Sequence, residues 1–380
     1  METPAWKFQR ETPGSVDTRA QRSVTRYNCL NRRQAFLVLV LLSLAVGGCL
    51  AVPRAAPPRL SGEGDLALYS HVAQRVHRGE RYYDALGSEL RSRDYPTRSV
   101  FNWRTPLHLE LIARLSFGWA SILLMVGGLC AIGLAVVPTA RSGHAGLALA
   151  QALLMFVPLS VTAMSNTFLF GEVWAGLLIA ISVGWYALGW RHAGAVTGVL
   201  AVFFRELALP YVLIGVFLAM RGRRRSELWI WLTGIAGYAL YFGLHAMAVM
   251  SRIPSSGVAP DVSRWVQFGG LRFLLITSRV GILLGLPFSV AAVYLPIAVL
   301  GLAGWVSPVA GRVTATVLAY LLAFSVIGLP SANFYWGAIY TPLLAFGTAR
   351  SLPACRDLVM RLFRSETQTS DQRLRGTGIE

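Results

Sequence analysis

The sequence predicts an all-α protein that crosses a membrane many times, and three observations carry that reading. Of 380 residues, 54% are apolar or aromatic and 14% are charged, and the mean hydropathy is +0.53. Several apolar runs approach the ~20 residues that cross a bilayer as helix. The formal charge of +17 is almost all arginine, with Lys7 the single lysine. It collects in the N-terminal tail, at Arg221–Arg225 and after Arg350, as the positive-inside rule and anionic lipid contact require. A soluble chain of this composition would lack polar surface to cover its core. No aromatic-basic motif accompanies the charge, so no nucleic-acid partner is expected. Cys29, Cys49, Cys130 and Cys355 form no CxxC pair and suggest neither a disulfide framework nor a metal cluster.

Residues 1–34 are polar and basic and read as a disordered cytoplasmic tail. The 18-residue run Ala35–Val52 reads as an uncleaved first span. Val46-Gly47-Gly48-Cys49 resembles a lipoprotein cleavage box, but 34 residues precede the run, too many for a signal peptide. Pro53, Pro57 and Pro58 end that span and open an extracytoplasmic loop over 53–106. This loop holds six of the 18 carboxylates. Within it, Asp65–Arg78 has the pattern of an amphipathic helix, with Leu68, Tyr69, Val72 and Val76 on one face. Gly79 ends it, and Tyr82–Leu90 suggests a second helix. Both are expected along the interface, apolar side down. Thr105-Pro106 is a helix-start signal.

Further spans are expected near 111–137, 143–162 and 171–190. Residues 193–220 are interrupted by Arg205-Glu206 and Pro210. As one span they would also put Arg221–Arg225 on the wrong side. Two short segments, 193–204 and 207–220, meeting near the outer face resolve both difficulties. Spans near 228–250, 279–304, 313–329 and 336–350 complete the membrane domain, 35–350. A second outer loop, 251–278, carries a surface helix from Val262. A basic tail, 351–380, returns inside. The architecture is therefore about eight full transmembrane helices plus two short broken segments, multi-pass in an inner (plasma) membrane with both termini cytoplasmic. No internal repeat is visible.

The residues able to carry chemistry lie mostly on the outer side. Asp65 can act as a general base on an acceptor hydroxyl, or simply cap its helix. Asp84, beside Tyr82 and Tyr83, is a second acid, with an interfacial anchor as the plainer reading. In Phe101-Asn102-Trp103-Arg104-Thr105-Pro106, Arg104 precedes a helix and suits a phosphate in two-point geometry. Lipid anchoring would use the same chemistry. Asn102, His108 and Glu110 are neighbouring substrate-binding candidates. Glu172, Arg205 and Glu206 sit in apolar surroundings, where charge is costly, so they form a structural ion pair or line a phosphate site. Arg272 and Arg279 are further phosphate candidates, with snorkelling as the alternative. Tyr335, Trp336 and Tyr340 can stack on a sugar or prenyl chain, or belong to an aromatic belt.

The run Asp65…Tyr69…Gly79…Tyr82-Tyr83-Asp84, followed by a multi-span body, resembles the C-type integral-membrane glycosyltransferases, the GT-C superfamily. It is most similar to the bacterial polyprenyl-phosphate-mannose-dependent mannosyltransferase branch. The resemblance is best over 60–106 and weaker over 166–212. It implies a sugar donor, mannose in that branch, on a polyprenyl phosphate and a lipid or glycan acceptor. It implies an active site at the outer face, with Asp65 as base or acceptor-positioning group. Many relatives have paired acids there. This chain has Glu63-Gly64-Asp65, which leaves open a role for Glu63 and for a divalent metal. No Gly-rich nucleotide loop is present, in keeping with a lipid-linked donor. The competing readings are a lipid or solute transporter, or flippase, built on Glu172, Arg205 and Glu206, and a membrane scaffold whose loop binds partners.

Overall fold

Helix α1, Arg32–Leu50, begins with a capping box. The Asn31 side chain accepts from the Gln34 N–H at 2.8 Å, and Gln34 accepts from the Asn31 N–H at 3.1 Å. The computed structural model describes residues 25–53, 64–253, 266, 268–328 and 333–363. Glu63, the surface helix expected from Val262 and the outer parts of both tails lie outside the described residues.

The first loop folds into α2, Asp65–His77, and α3, Tyr82–Ser92. Their apolar faces are buried against protein rather than laid on lipid: Leu68, Val72, Leu86 and Leu90 are all fully or nearly fully covered. Arg75 ties the two helices together. It lies 2.7 Å from Glu80 and 3.0 Å from Glu89. Burial works to raise the Glu89 pKa, but hydrogen bonds from Arg75 and Arg93 prevail and leave it below the usual carboxylate range.

The span expected over 111–137 is two helices, α4 (Leu107–Leu115) and α5 (Phe117–Arg141). Ser116, at φ 68°, forms the corner between them. Then follow α6 (Ala145–Leu159), α7 (Gly171–Ala187), α8 (Arg191–Phe204), α9 (Leu209–Arg221) and α10 (Arg225–Met250). A short α11 (Gly270–Thr277) precedes α12 (Phe288–Gly304), α13 (Ala310–Val326) and α14 (Thr341–Phe363). Residues 281–285, expected inside a span, form a 3₁₀ turn before α12. The last helix continues through residues expected in the tail.

The protein is an all-helical, polytopic membrane protein. Among the described residues the only extended pairings are isolated bridges, Thr25 with Trp305 and Val266 with Ile327. Among the described residues, four stretches are long and apolar enough to cross a bilayer: Arg32–Leu50, Phe117–Arg141, Ala145–Ala163 and Arg225–Met250. Apolar helices α7, α12 and α13 have 17 residues each, about 26 Å, which is shorter than the full spans the sequence suggests.

Helix α7 is buried on nearly every side, and α5, α8 and the 3₁₀ turn Phe334–Ile339 pack on it. Helices α12 and α14 meet backbone to backbone. A Cβ on Gly301 would lie 1.9 Å from the Gly347 carbonyl oxygen, and one on Gly347 would lie 2.0 Å from that of Ala298. Small residues are what allow such approach in lipid.

The bundle has two ends. At one, Thr25 Oγ1 donates to Asp357 at 2.5 Å, and Tyr27 donates to the Leu300 carbonyl at 2.9 Å, so the first and last described segments share a face. Glu227 at the start of α10 meets Arg312 at the start of α13 at 3.2 Å. About 39 Å away along the 26-residue α10, Arg252 reaches Asp84 of α3 at 3.2 Å.

Gly301→Ala forces α12 from α14. It should cost about 1–3 kcal/mol and lower the thermal midpoint in detergent, whereas Gly311→Ala, where a Cβ meets nothing within 4 Å, should not.

Candidate functional site at the helix break

Helix α8 stops at Phe204 because Arg205 turns to extended backbone, φ −155° and ψ 122°. A short turn, Glu206–Ala208, leads into α9, with Pro210 in its first turn. The break carries Arg205 into the protein. Arg205 is 4% exposed and Glu172 2%. Its Nε lies 2.7 Å from Glu172 Oε1, and its Nη1 lies 2.7 Å from Glu206 Oε1. Glu172 stands in the first turn of α7, where the helix dipole favours an acid. Gly171 lets that turn approach the break: a Cβ there would lie 2.7 Å from the Phe204 carbonyl oxygen.

Arg104 enters from the first loop. Its Nε donates to Tyr69 Oη at 2.8 Å, and its Nη1 is 3.5 Å from Glu206 Oε1. Its Nη2 has no protein acceptor among the described residues. The aromatic motif around Arg104 is a frame for it. Tyr82 donates to the Arg104 carbonyl at 2.7 Å, Trp103 Nε1 to the Thr97 carbonyl at 2.9 Å and Asn102 Nδ2 to the Pro96 carbonyl at 3.0 Å. His245 bridges Tyr83 and the Trp103 carbonyl at 3.0 and 3.1 Å. Helix α4 starts at Leu107, three residues later, so Arg104 itself is not in a helical first turn.

Asp65 is the first helical residue of α2, and Gly64 takes the cap position. The Asp65 carboxylate is therefore not the cap. One oxygen accepts from Tyr95 Oη at 2.8 Å and the other from Tyr335 Oη. Each oxygen keeps a second lone pair. Tyr335 is held by stacking on Phe170, with centroids 4.4 Å apart. Asp65 and Tyr69 stand one turn apart on α2, about 6 Å along its axis, so Tyr69 ties the Arg104 guanidinium to the same helix that carries the carboxylate. Burial pushes the Tyr69 phenol up to about 12, and burial with the Asp65 charge raises Tyr95. Both stay neutral hydroxyls at physiological pH.

His108, 4% exposed, completes the wall. Neither ring nitrogen has a hydrogen-bond partner. Burial, with the charges of Arg205 and Arg104, lowers its pKa to about 3, so the ring is neutral. Tyr69, Arg104, His108, Glu172, Arg205 and Glu206 surround a cavity with room for about one water.

Asp65, Arg104, His108, Glu172, Arg205, Glu206 and Tyr335 therefore converge. The other candidates do not. Asp84 pairs with Arg252, and Asn102 is spent on loop backbone. Glu110 faces Arg114 at 3.5 Å. Arg279 donates to the carbonyls of Leu284 and Leu286 at 2.9 and 2.6 Å, so it closes its own loop. Arg272 is exposed on α11. Trp336 packs on Phe273 and Phe324, and Tyr340 is fully buried with its hydroxyl 3.0 Å from Thr277. Sequence reasoning missed Tyr95, which carries no periodic or motif signal, and Phe170 as the plate beneath Tyr335. No group of three His, Cys, Asp or Glu able to hold a metal occurs among the described residues.

No family model matches the sequence, and no curated protein matches it. The chain is similar to the crystal structure of ArnT from Cupriavidus metallidurans bound to undecaprenyl phosphate. The TM-score is 0.48 at 15% identity, over 90% of this chain and 62% of that one. This chain thus spans less than two thirds of that protein's length.

Two outcomes are expected. Arg205→Met leaves Glu172 buried without its cation and should cost about 3–5 kcal/mol, while Arg205→Met with Glu172→Leu should recover most of it, as read by thermal unfolding in detergent. For His108, the folded pKa lies below the unfolded one, so the unfolded state takes up the proton first. Stability is full above about pH 6.5 and falls as pH drops toward about 3. His108→Gln should flatten the fall in melting temperature between pH 7 and pH 4, and an unchanged slope would contradict this.

Proposed function

We propose that the protein is a membrane glycosyltransferase. It would move a sugar from a polyprenyl-phosphate carrier to an acceptor hydroxyl on the extracytoplasmic side. The observation that supports this most directly is the pairing of an oriented, accessible carboxylate with a guanidinium that still has a free donor edge. Asp65 is fixed by two tyrosine hydroxyls and retains lone pairs for an incoming O–H. Arg104 is held by Tyr69 and Glu206 and keeps Nη2 for an anion.

The chemistry needs those two groups in that order. As the acceptor oxygen forms its bond to the anomeric carbon, its proton passes to the Asp65 carboxylate. The bond from that carbon to the phosphate oxygen breaks. The departing polyprenyl phosphate is already an anion and needs no proton, only positive charge beside it. Arg104 is the better ligand for it. Arg205 is neutralised by two glutamates and serves to hold the helix break and Glu206 in place.

Mannose as the sugar, a lipid or glycan as acceptor and a role for a divalent metal belong to this proposal. So does the orientation. The end of the bundle with Arg26, Arg191, Arg221–Arg225 and Arg361 is the cytoplasmic one by the positive-inside rule, which places both termini inside. A transporter reading has the buried Arg205–Glu172–Glu206 cluster in its favour, but gives no task to the tyrosine-held Asp65.

Envelope glycans and lipid-linked sugars would be compared in a deletion strain of the source organism restored with each variant at equal expression. Asp65→Asn should lose at least ~100-fold in glycosyl transfer while inserting and folding normally. Tyr335→Phe should lose about tenfold, the effect of one hydrogen bond to a charged group. Full restoration by Asp65→Asn would remove the base and favour transport. Loss of transfer in chelator-treated membranes, regained with a divalent cation, would assign the metal.

A further inference from the structure

A second polar site lies at the opposite end of the bundle, outside the chemistry above. Between the turn joining α7 to α8 and the turn joining α9 to α10 is a cavity of about 540 Å³, within the range of small-molecule sites. Its walls include Trp190, Arg191, His192, Arg224, Ser226 and Glu227.

The floor is Glu227, 1% exposed. Its charge is already taken. Tyr186 donates to Oε1 at 2.7 Å, Arg312 Nη2 lies 3.2 Å from the same oxygen, and Arg224 Nε lies 2.9 Å from Oε2. Glu227 therefore acts as a built anchor for Arg224. Beside this ion pair, a hydrogen bond from Arg224 Nη2 to the Leu218 carbonyl at 2.9 Å fixes the guanidinium plane. Arg224 Nη1 is left with no protein acceptor among the described residues. Across the opening, the Arg191 guanidinium has no hydrogen-bond or ion-pair partner among them. His192 Nε2 meets Ser226 Oγ at 2.9 Å, which joins the two walls.

Backbone adds to this field. Helices α8 and α10, of 14 and 26 residues, both begin at the cavity, and neither N-cap offers a side-chain acceptor. Their first N–H groups favour an anion. The rim carries Trp190, 62% exposed and stacked on Trp185 at 5.1 Å. Tryptophan in that position belongs at the headgroup level of a bilayer. Arg221, Arg223 and Arg225 stand in the adjoining turn.

We propose that this cavity binds the phosphate of an anionic phospholipid headgroup from the inner leaflet. Arg191 and Arg224 are its guanidinium ligands, and the starts of α8 and α10 face it from either side. Two free guanidinium edges match phosphate oxygens in two-point geometry, and their charge favours a headgroup with net negative charge over one without. The open, tryptophan-rimmed position suits a lipid rather than a freely soluble anion. The proposal rests on membrane embedding and on the orientation drawn from the positive-inside rule, not on the transferase chemistry, so either can fail alone.

The test uses full-length protein purified in a neutral detergent and titrated with phosphatidylglycerol, phosphatidylcholine or inorganic phosphate, bound lipid being counted by native mass spectrometry. Phosphatidylglycerol should bind at least tenfold more tightly than phosphatidylcholine. Arg191→Gln, a change at an exposed side chain, should erase about tenfold of that preference. Arg141→Gln, at another exposed arginine of the same end, should leave it intact. Equal loss in both variants, or no preference in the wild type, would overturn the site. Inorganic phosphate binding as tightly as phosphatidylglycerol, and lost with Arg191→Gln, would overturn the lipid assignment.

Discussion

A single ion cluster at the break between α8 and α9 fixes the half of the molecule that carries the first loop. Arg205 cannot lie in lipid, and it lies instead between Glu172 and Glu206 at 2.7 Å from each. Burying the charges of Arg205 and Glu172 is a poor way to gain stability. What the cluster gains is position. It stops α8, sets the first turn of α7 against Phe204 and turns Glu206 toward the first loop. Arg104 then has a partner on the membrane body, and the loop is tied to the bundle through Arg104, Tyr69 and α2. Remove that constraint and nothing polar joins the loop to the break.

The two ends of the bundle use arginine differently. At the end with the helix break two arginines meet two glutamates and one phenol, and Arg104 Nη2 keeps no acceptor among the described residues. At the other end one glutamate meets two arginines, and Arg191 stands free nearby. The first arrangement is close to neutral. The second carries excess positive charge at the level of the lipid headgroups.

Much of this was legible in the sequence. Arg205-Glu206 and Pro210 interrupt an apolar stretch, and charge plus proline there leave a broken helix as the consistent reading. The amphipathic face of α2 followed from Leu68, Tyr69, Val72 and Val76. Charge alone misled at Arg279. An arginine at the start of an apolar run looks like a phosphate ligand, but the 3₁₀ turn after it leaves carbonyls that its guanidinium closes. Asp65 at a helix start looked like a cap, and Gly64 takes that place because its φ of 74° is open to glycine. Tyr95 gave no signal, since its contact with Asp65 spans 30 residues of irregular chain. Glu227 and Arg312 stand just before the spans expected at 228–250 and 313–329, where a charge reads as an ordinary flank of a span and gives no sign of its partner. Trp336 and Tyr340 look like a belt because composition does not distinguish an interface from a core.

The central claim is a division of labour, with Asp65 serving the acceptor and Arg104 the carrier phosphate. The most direct measurement is equilibrium binding of a short-chain polyprenyl phosphate, without sugar, to the purified full-length protein and to Asp65→Asn and Arg104→Gln. The account predicts that Asp65→Asn binds the carrier as tightly as wild type and that Arg104→Gln binds it about tenfold or more weakly. Equal affinity in all three, or loss confined to Asp65→Asn, would contradict it.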